Sequence, residues 1–125
     1  MNDMARVTIT RLPTGVPGLD EVLGGGLPEY SFNVVAGTPG TGKTTLAHQI
    51  MFNLATPARP ALYFSVMGEP ALKMLRYQQQ MAYFDPAKLD GAIHYVNLSD
   101  ALQTGDLDQV RGDIIRRVEE MCLSR

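Results

Sequence analysis

An α/β fold, with a parallel sheet and helical crossovers, is what this 125-residue sequence predicts. Short apolar runs of strand length alternate with segments of helical period, and alternating strands and helices of this length build a parallel sheet. One strand-to-helix junction is the glycine-rich stretch "GTPGTGKTT", residues 37–45. Hydrophobic residues make up 45% and charged residues 19%, which supplies a core and sets the chain apart from disordered sequences.

The elements follow in order. "RVTIT" (6–10) alternates Val7 and Ile9 with Thr8 and Thr10, the period of a half-buried strand. A short helix is expected around Leu19 to Leu23, stopped by Gly24, Gly25 and Gly26. "FNVVAG" (32–37) reads as a buried strand, and Lys43 to about Ala55 as a helix with Leu46, Ile50 and Leu54 on one face. "TPARP" breaks that helix, and "ALYFSV" (61–66) is the next strand. A helix from Pro70 to about Tyr83 places Met74, Tyr77 and Met81 inward as ordinary core, with proline suited to its first turn. "IHYVNL" (93–98) is a further strand. "DLDQVRGDIIRRVEEMCL" (106–123) is a last helix with Leu107, Val110, Ile114, Val118 and Met121 on one face. No repeat or linker divides the chain, which reads as one unit.

The net charge of −2 gives no electrostatic reason to expect nucleic acid or an anionic membrane. Arg111, Arg116, Arg117 and Arg125 are interleaved with Asp113, Glu119 and Glu120, as on a solvated helix face. Cys122 is the single cysteine, so no intrachain disulfide forms, and its place on an apolar stripe points to packing. No signal-like start and no run of membrane-spanning length is present, and a cytoplasmic home is expected. His48 and His94 lack metal-ligand spacing and are expected to pack or face solvent.

Gly37, Gly42, Lys43 and Thr44 match G-x-x-x-x-G-K-[ST] without a gap. Each part has a physical task. Gly37, Gly40 and Gly42, with Thr38, Pro39 and Thr41 between them, let the backbone wrap phosphate oxygens and turn N–H groups inward. The helix that begins there brings its positive dipole end to the anion, next to Thr44 and Thr45. Lys43 supplies a mobile charge to the terminal phosphates, and the Thr44 hydroxyl suits magnesium. The motif therefore predicts binding of a Mg-nucleotide.

Together with "PTGVPGLDEVLGGGLP" (13–28) ahead of it, the loop resembles the RecA-like P-loop ATPases, and among them the KaiC domain family known from the cyanobacterial circadian clock. That family's T-G-x-x-x-L-D stretch falls at Thr14-Gly15 and Leu19-Asp20, and its G-G-L-P turn at Gly25-Gly26-Leu27-Pro28. The resemblance is strong over Leu12 to Leu54 and looser beyond. It implies ATP and Mg2+ as ligands, a RecA-like sheet flanked by helices, and a homo-oligomeric ATPase that hydrolyses ATP between neighbouring subunits.

The sequence departs from the family pattern in three places. A glycine or basic residue usually follows G-G-L-P, whereas this chain has Glu29-Tyr30, which alters the turn and offers Tyr30 to a partner subunit. Paired acids, as in F-E-E-x-P, usually follow the strand after the loop helix, and one activates the attacking water. Aligned on Pro70, their places are taken by Met67 and Gly68, and Glu69 stands one residue along. A general base must lie within hydrogen-bond reach of its water, so Glu69 acts only if Gly68 lets the backbone carry it back; otherwise it is a solvated acid in a first helical turn. Finally, no apolar strand ending in an acid, the Walker B element, follows the last helix. Residues 1–125 therefore read as the amino-terminal portion of a single KaiC/RecA-like domain, lacking the Walker B strand and later elements. Such a chain is expected to bind ATP with little hydrolysis. A non-catalytic, nucleotide-dependent oligomerisation or signalling switch is the alternative. A small phosphoryl transferase ranks below both, for want of arginines converging on a second site.

Overall fold

A computed structural model describes residues 7–66, 71–99 and 106–123. The chain divides into two compact units, Met1–Leu54 and Ala55–Arg125.

In the first unit, strand β1 (Arg11–Leu12) pairs antiparallel with β2 (Leu27–Pro28), Arg11 opposite Pro28 and Leu12 opposite Leu27. The strand expected at residues 6–10 is displaced: Val7 and Ile9 are exposed and lie outside any ladder, and only the Glu29 N–H to Thr10 carbonyl bond (2.8 Å) extends the pairing backwards. Its partner sets the limit. β2 is hemmed between the glycine turn and Pro28, which has no N–H to give.

Helix α1 (Leu19–Val22) ends where the glycines predict, for a specific reason. The Gly24 N–H bonds the Glu21 carbonyl at 3.3 Å and the Gly25 N–H bonds the Asp20 carbonyl at 2.7 Å, while Gly24 takes φ 71°. This is the double-bonded left-handed helix end that glycine favours. At Gly26, a Cβ would lie 2.1 Å from the Leu12 carbonyl oxygen, so no side chain fits between β1 and the turn. Tyr30 follows β2 with φ 60° and a fully exposed side chain.

The Thr14-Gly15 and Leu19-Asp20 stretch forms a hydrogen-bonded knot. Asp20 Oδ1 accepts from the Thr14 N–H (2.8 Å) and hydroxyl (2.7 Å), and Asp20 Oδ2 accepts from the Gly15 N–H (3.2 Å). These donors hold the Asp20 carboxyl below its usual 3.8, the Thr14 hydroxyl contributing most. Thr14 is completely buried, and its carbonyl accepts from Asn53 Nδ2 at 2.8 Å.

Helix α2 (Lys43–Leu54) matches the expected span. Its most buried positions are His48 and Phe52, while Leu46, Ile50 and Leu54 are half-buried, so the inner face is rotated from the expected one. The apolar count alone hid this, because a histidine occupies the centre of the buried face. His48 Nδ1 lies 2.8 Å from the Thr44 carbonyl, and burial pushes the imidazole below its ordinary pKa against that bond's opposing effect.

The segment 32–37 is the clearest departure. No ladder forms there, and Phe32 is 92% exposed, Val34 75% and Val35 54%. A strand apolar on both faces is held by strands on both sides, and among the described residues none pairs with it.

In the second unit, β3 (Ala61–Ser65) and β4 (Ile93–Asn97) run parallel in register from Ala61 opposite Ile93 to Ser65 opposite Asn97. The Tyr63 and Tyr95 rings, cross-strand partners, sit 5.5 Å apart. Burial pushes the Tyr95 hydroxyl up to about 12. Helix α3 (Ala71–Gln78) and a 3₁₀ turn (Pro86–Leu89) form the crossover, the turn opened by Asp85 accepting from the Ala87 N–H at 3.0 Å. Helix α3 stops earlier than expected, since the Gln80 and Met81 N–H groups reach back only three residues, to Tyr77 and Gln78, tightening the last turn. Met74 is buried as expected, but Tyr77 and Met81 are exposed, and Gln78 takes the inward place with its amide oxygen accepting from the Tyr83 hydroxyl. Helix α4 (Leu107–Leu123) matches its expected span. Of its expected inner face, Val110 is buried, Ile114 and Met121 are half-buried, and Leu107 and Val118 are exposed. Among the described residues no helix is long and apolar enough to cross a membrane.

Candidate phosphate-binding loop

Residues 37–45 lie at the solvent-facing start of α2. The loop is closed by its own lysine: Lys43 Nζ donates to the Gly37 carbonyl at 2.7 Å and to the Thr38 carbonyl at 2.9 Å. Thr41 Oγ1 donates to the same Thr38 carbonyl at 2.8 Å. A cation and a hydroxyl thus converge on two successive carbonyls and fold the chain into a tight arch.

The glycines have distinct tasks in that arch. A Cβ at Gly37 would stand 2.7 Å from Thr41 Oγ1, so glycine is needed for the closure itself. Gly40 and Gly42 adopt φ 84° and 93°, conformations that side chains rarely take, and a Cβ on either would point into open space. The Gly42 carbonyl accepts from the Leu46 N–H at 2.9 Å, the first bond of the helix ladder. The N–H groups of Lys43, Thr44 and Thr45 therefore precede the first intrahelical donor and carry the positive end of the helix dipole. Lys43 is the one charged side chain between Gly37 and Thr45, so no carboxylate in the loop opposes an anion. Thr44 is exposed in the first turn and Thr45 is half-buried.

The structure thus brings Gly37, Thr38, Thr41 and Lys43 into mutual contact and places Pro39, Gly40, Gly42, Thr44 and Thr45 along the same arch. The helix expected after the loop is present, and the strand expected before it is not laddered. Glu69 lies outside the described residues, as do Met67, Gly68 and Pro70. Among the described residues no group of three or more His, Cys, Asp or Glu could hold a metal ion. The arch sets backbone N–H groups, a hydroxyl and one ammonium together without a carboxylate, a chemistry that suits phosphate oxygens. Spacing did not reveal Asn53, which ties the far end of α2 to Thr14 across 39 residues.

The family model "ATPase: KaiC" matches residues 12–121. A UPF0273 protein of Thermotoga maritima is 33% identical over 93 residues, covering 71% of this chain and 37% of the relative. A UPF0273 protein of Pyrococcus horikoshii is 38% identical over 74 residues, 59% of this chain and 28% of the relative. One from Pyrobaculum aerophilum is 49% identical over 47 residues, 38% and 17% of the two chains. The chain thus spans little more than a third of the length of these curated relatives, or less. No solved structure matches. A family match running from Leu12 to Met121, through the knot, the glycine turn, the loop and both parallel strands, places this chain in the KaiC ATPase family.

Proposed function

We propose that this chain binds ATP with Mg2+ at residues 37–45, and that it serves an ATPase acting as a homo-oligomer. The observation that carries the reading is the arch itself, where Lys43 Nζ spans the Gly37 and Thr38 carbonyls at the mouth of a helix N-terminus. Phosphate oxygens would be held by the N–H groups from Gly40 to Thr45, and Lys43 would exchange carbonyl contacts for the terminal phosphates. Thr44 would offer its hydroxyl to magnesium, which neutralises charge on the phosphates when bound. In the hydrolytic form, Glu69 would orient the attacking water if the backbone at Gly68 brings it within reach. We read residues 1–125 as the amino-terminal portion of a longer ATPase domain, in keeping with the 37% share of the Thermotoga maritima relative that is matched.

The test is binding of a fluorescent ATP analogue with and without magnesium. Thr44→Ala is expected to bind the magnesium complex about tenfold more weakly while losing little affinity for the metal-free nucleotide. Equal losses in both conditions would remove the metal role from Thr44. A second reading, a nucleotide-dependent switch without hydrolysis, is favoured by the residues at 67–69, where Met67 and Gly68 stand in place of paired acids. Assembly on ATP by a protein carrying the full domain, without release of phosphate, would decide for the switch.

A further inference from the structure

We infer that Asn53 is a positioning residue for the phosphate loop, acting with Thr14 and Asp20 as a clasp on the far end of α2; the inference rests on the nucleotide reading above. The loop sits at the first residue of α2 and Asn53 in its last turn. Two kinds of force hold that helix. Burial of His48 and Phe52 decides which face turns inward, but apolar burial is non-directional and leaves tilt and axial position soft. A directional contact is the bond from Asn53 Nδ2 to the Thr14 carbonyl at 2.8 Å.

Its acceptor is itself immobilised. Thr14 is completely buried and is bonded through both its N–H and its hydroxyl to Asp20 Oδ1, at 2.8 and 2.7 Å. The neighbouring Gly15 N–H bonds Asp20 Oδ2 at 3.2 Å, and the Val16 N–H bonds the Thr14 hydroxyl at 3.2 Å. A Cβ at Gly15 would stand 2.4 Å from Asn53 Nδ2, so a side chain there would push the amide off its acceptor, and Gly15 itself takes φ 73°. Thr14, Gly15 and Asp20 thus form a fixed seat, and Asn53 is the peg.

The lever is long. A 12-residue helix spans about 18 Å, so a pivot of about 3° at the clasp moves the loop end by about 1 Å. Hydrogen bonds to phosphate oxygens operate over a window of roughly 0.5 Å, so such a shift is felt at the loop. The clasp sets the direction in which the helix N-terminus faces its ligand, without touching that ligand.

Amide hydrogen exchange and nucleotide titration on the same samples test this, with the folded fraction checked by circular dichroism. In Asn53→Ala, amides of residues 46–49, the first bonded donors of α2, are expected to exchange about three- to tenfold faster, and the magnesium complex of the ATP analogue to bind weaker by a similar factor. Thr14→Val should do the same, while Thr14→Ser, which keeps the hydroxyl, should restore both readouts to within about twofold. Faster exchange confined to residues 12–20 and 50–54, with affinity unchanged, would reduce the clasp to a local strut and overturn the inference. If the unsubstituted chain binds no nucleotide, the nucleotide reading fails by itself. Exchange at 46–49 in Asn53→Ala then decides the clasp alone. Should Thr14→Val not fold, Asn53→Ala keeps the test intact, because Asn53 is exposed and its truncation leaves no buried cavity.

Discussion

Tyr30 occupies the left-handed backbone region at φ 60°, with its side chain wholly in solvent. A non-glycine residue there costs about 1–2 kcal/mol, and no buried contact of the ring offsets it. The strain at Tyr30 belongs to the particular turn this chain makes after β2. Tyr30→Gly removes the strain but adds unfolded-state entropy of about 0.5–1 kcal/mol. The net expectation is a gain of about 0.5 kcal/mol, seen as a rise of about 2 °C in thermal midpoint. A drop in midpoint would mean that the Tyr30 ring makes a stabilising contact in solution. At this scale the glycine-rich arch at 37–45 and the helix start at Lys43 were legible in the sequence, because both depend on residue type at fixed spacing. Asn53 was not, because its partner Thr14 is 39 residues away and a lone asparagine has no signature.

Elements divide according to what holds them. Helix α1 was legible because its glycine stop is local chemistry, α2 and α4 because each is long, and β3 and β4 because each is a short apolar run of strand length. The inward face of α3 was not, since the helix tightens after Gln78 and the phase that would bring Met81 inward is lost. Gln78 replaces it, a polar residue made tolerable by the Tyr83 hydroxyl. The segments at 7–10 and 32–37 read as strands from their apolar pattern, yet a strand exists only through its partner. The Asp20 knot gives a pH prediction at this scale. Its carboxyl is held below 3.8 by Thr14 and Gly15, so the unfolded chain takes up protons first as pH falls. The stabilisation is fully present above that value and is lost as pH drops through the lower, folded value. Asp20→Asn should therefore melt below the unsubstituted chain at neutral pH, with the gap closing in acid below about pH 3.8. A gap independent of pH would show that the carboxylate charge contributes nothing to the knot.

For the whole molecule, membership of the KaiC ATPase family accounts for the order of knot, glycine turn, loop, helix and parallel strands along one chain. The fold class was legible as α/β with parallel pairing, and the parallel ladder of β3 and β4 supports it. Binding at such a loop would rest on backbone geometry and one ammonium, whereas turnover needs a positioned base and water. Steady-state phosphate release by this 125-residue chain is accordingly expected to stay near the no-enzyme background even at saturating Mg-ATP. Sustained turnover abolished by Glu69→Gln would contradict that expectation and assign the displaced acid a catalytic role.

The most direct measurement is a titration of a fluorescent ATP analogue with magnesium into this chain and into its Lys43→Ala variant. Lys43 contributes the only side-chain charge of the loop and two of the three side-chain bonds that close it on Gly37 and Thr38. Saturable binding by the unsubstituted chain is expected, weakened by a factor of about 10 to 100 in the variant. Equal affinity in the two, or no binding by either, would contradict the claim that residues 37–45 grip a nucleotide in this chain.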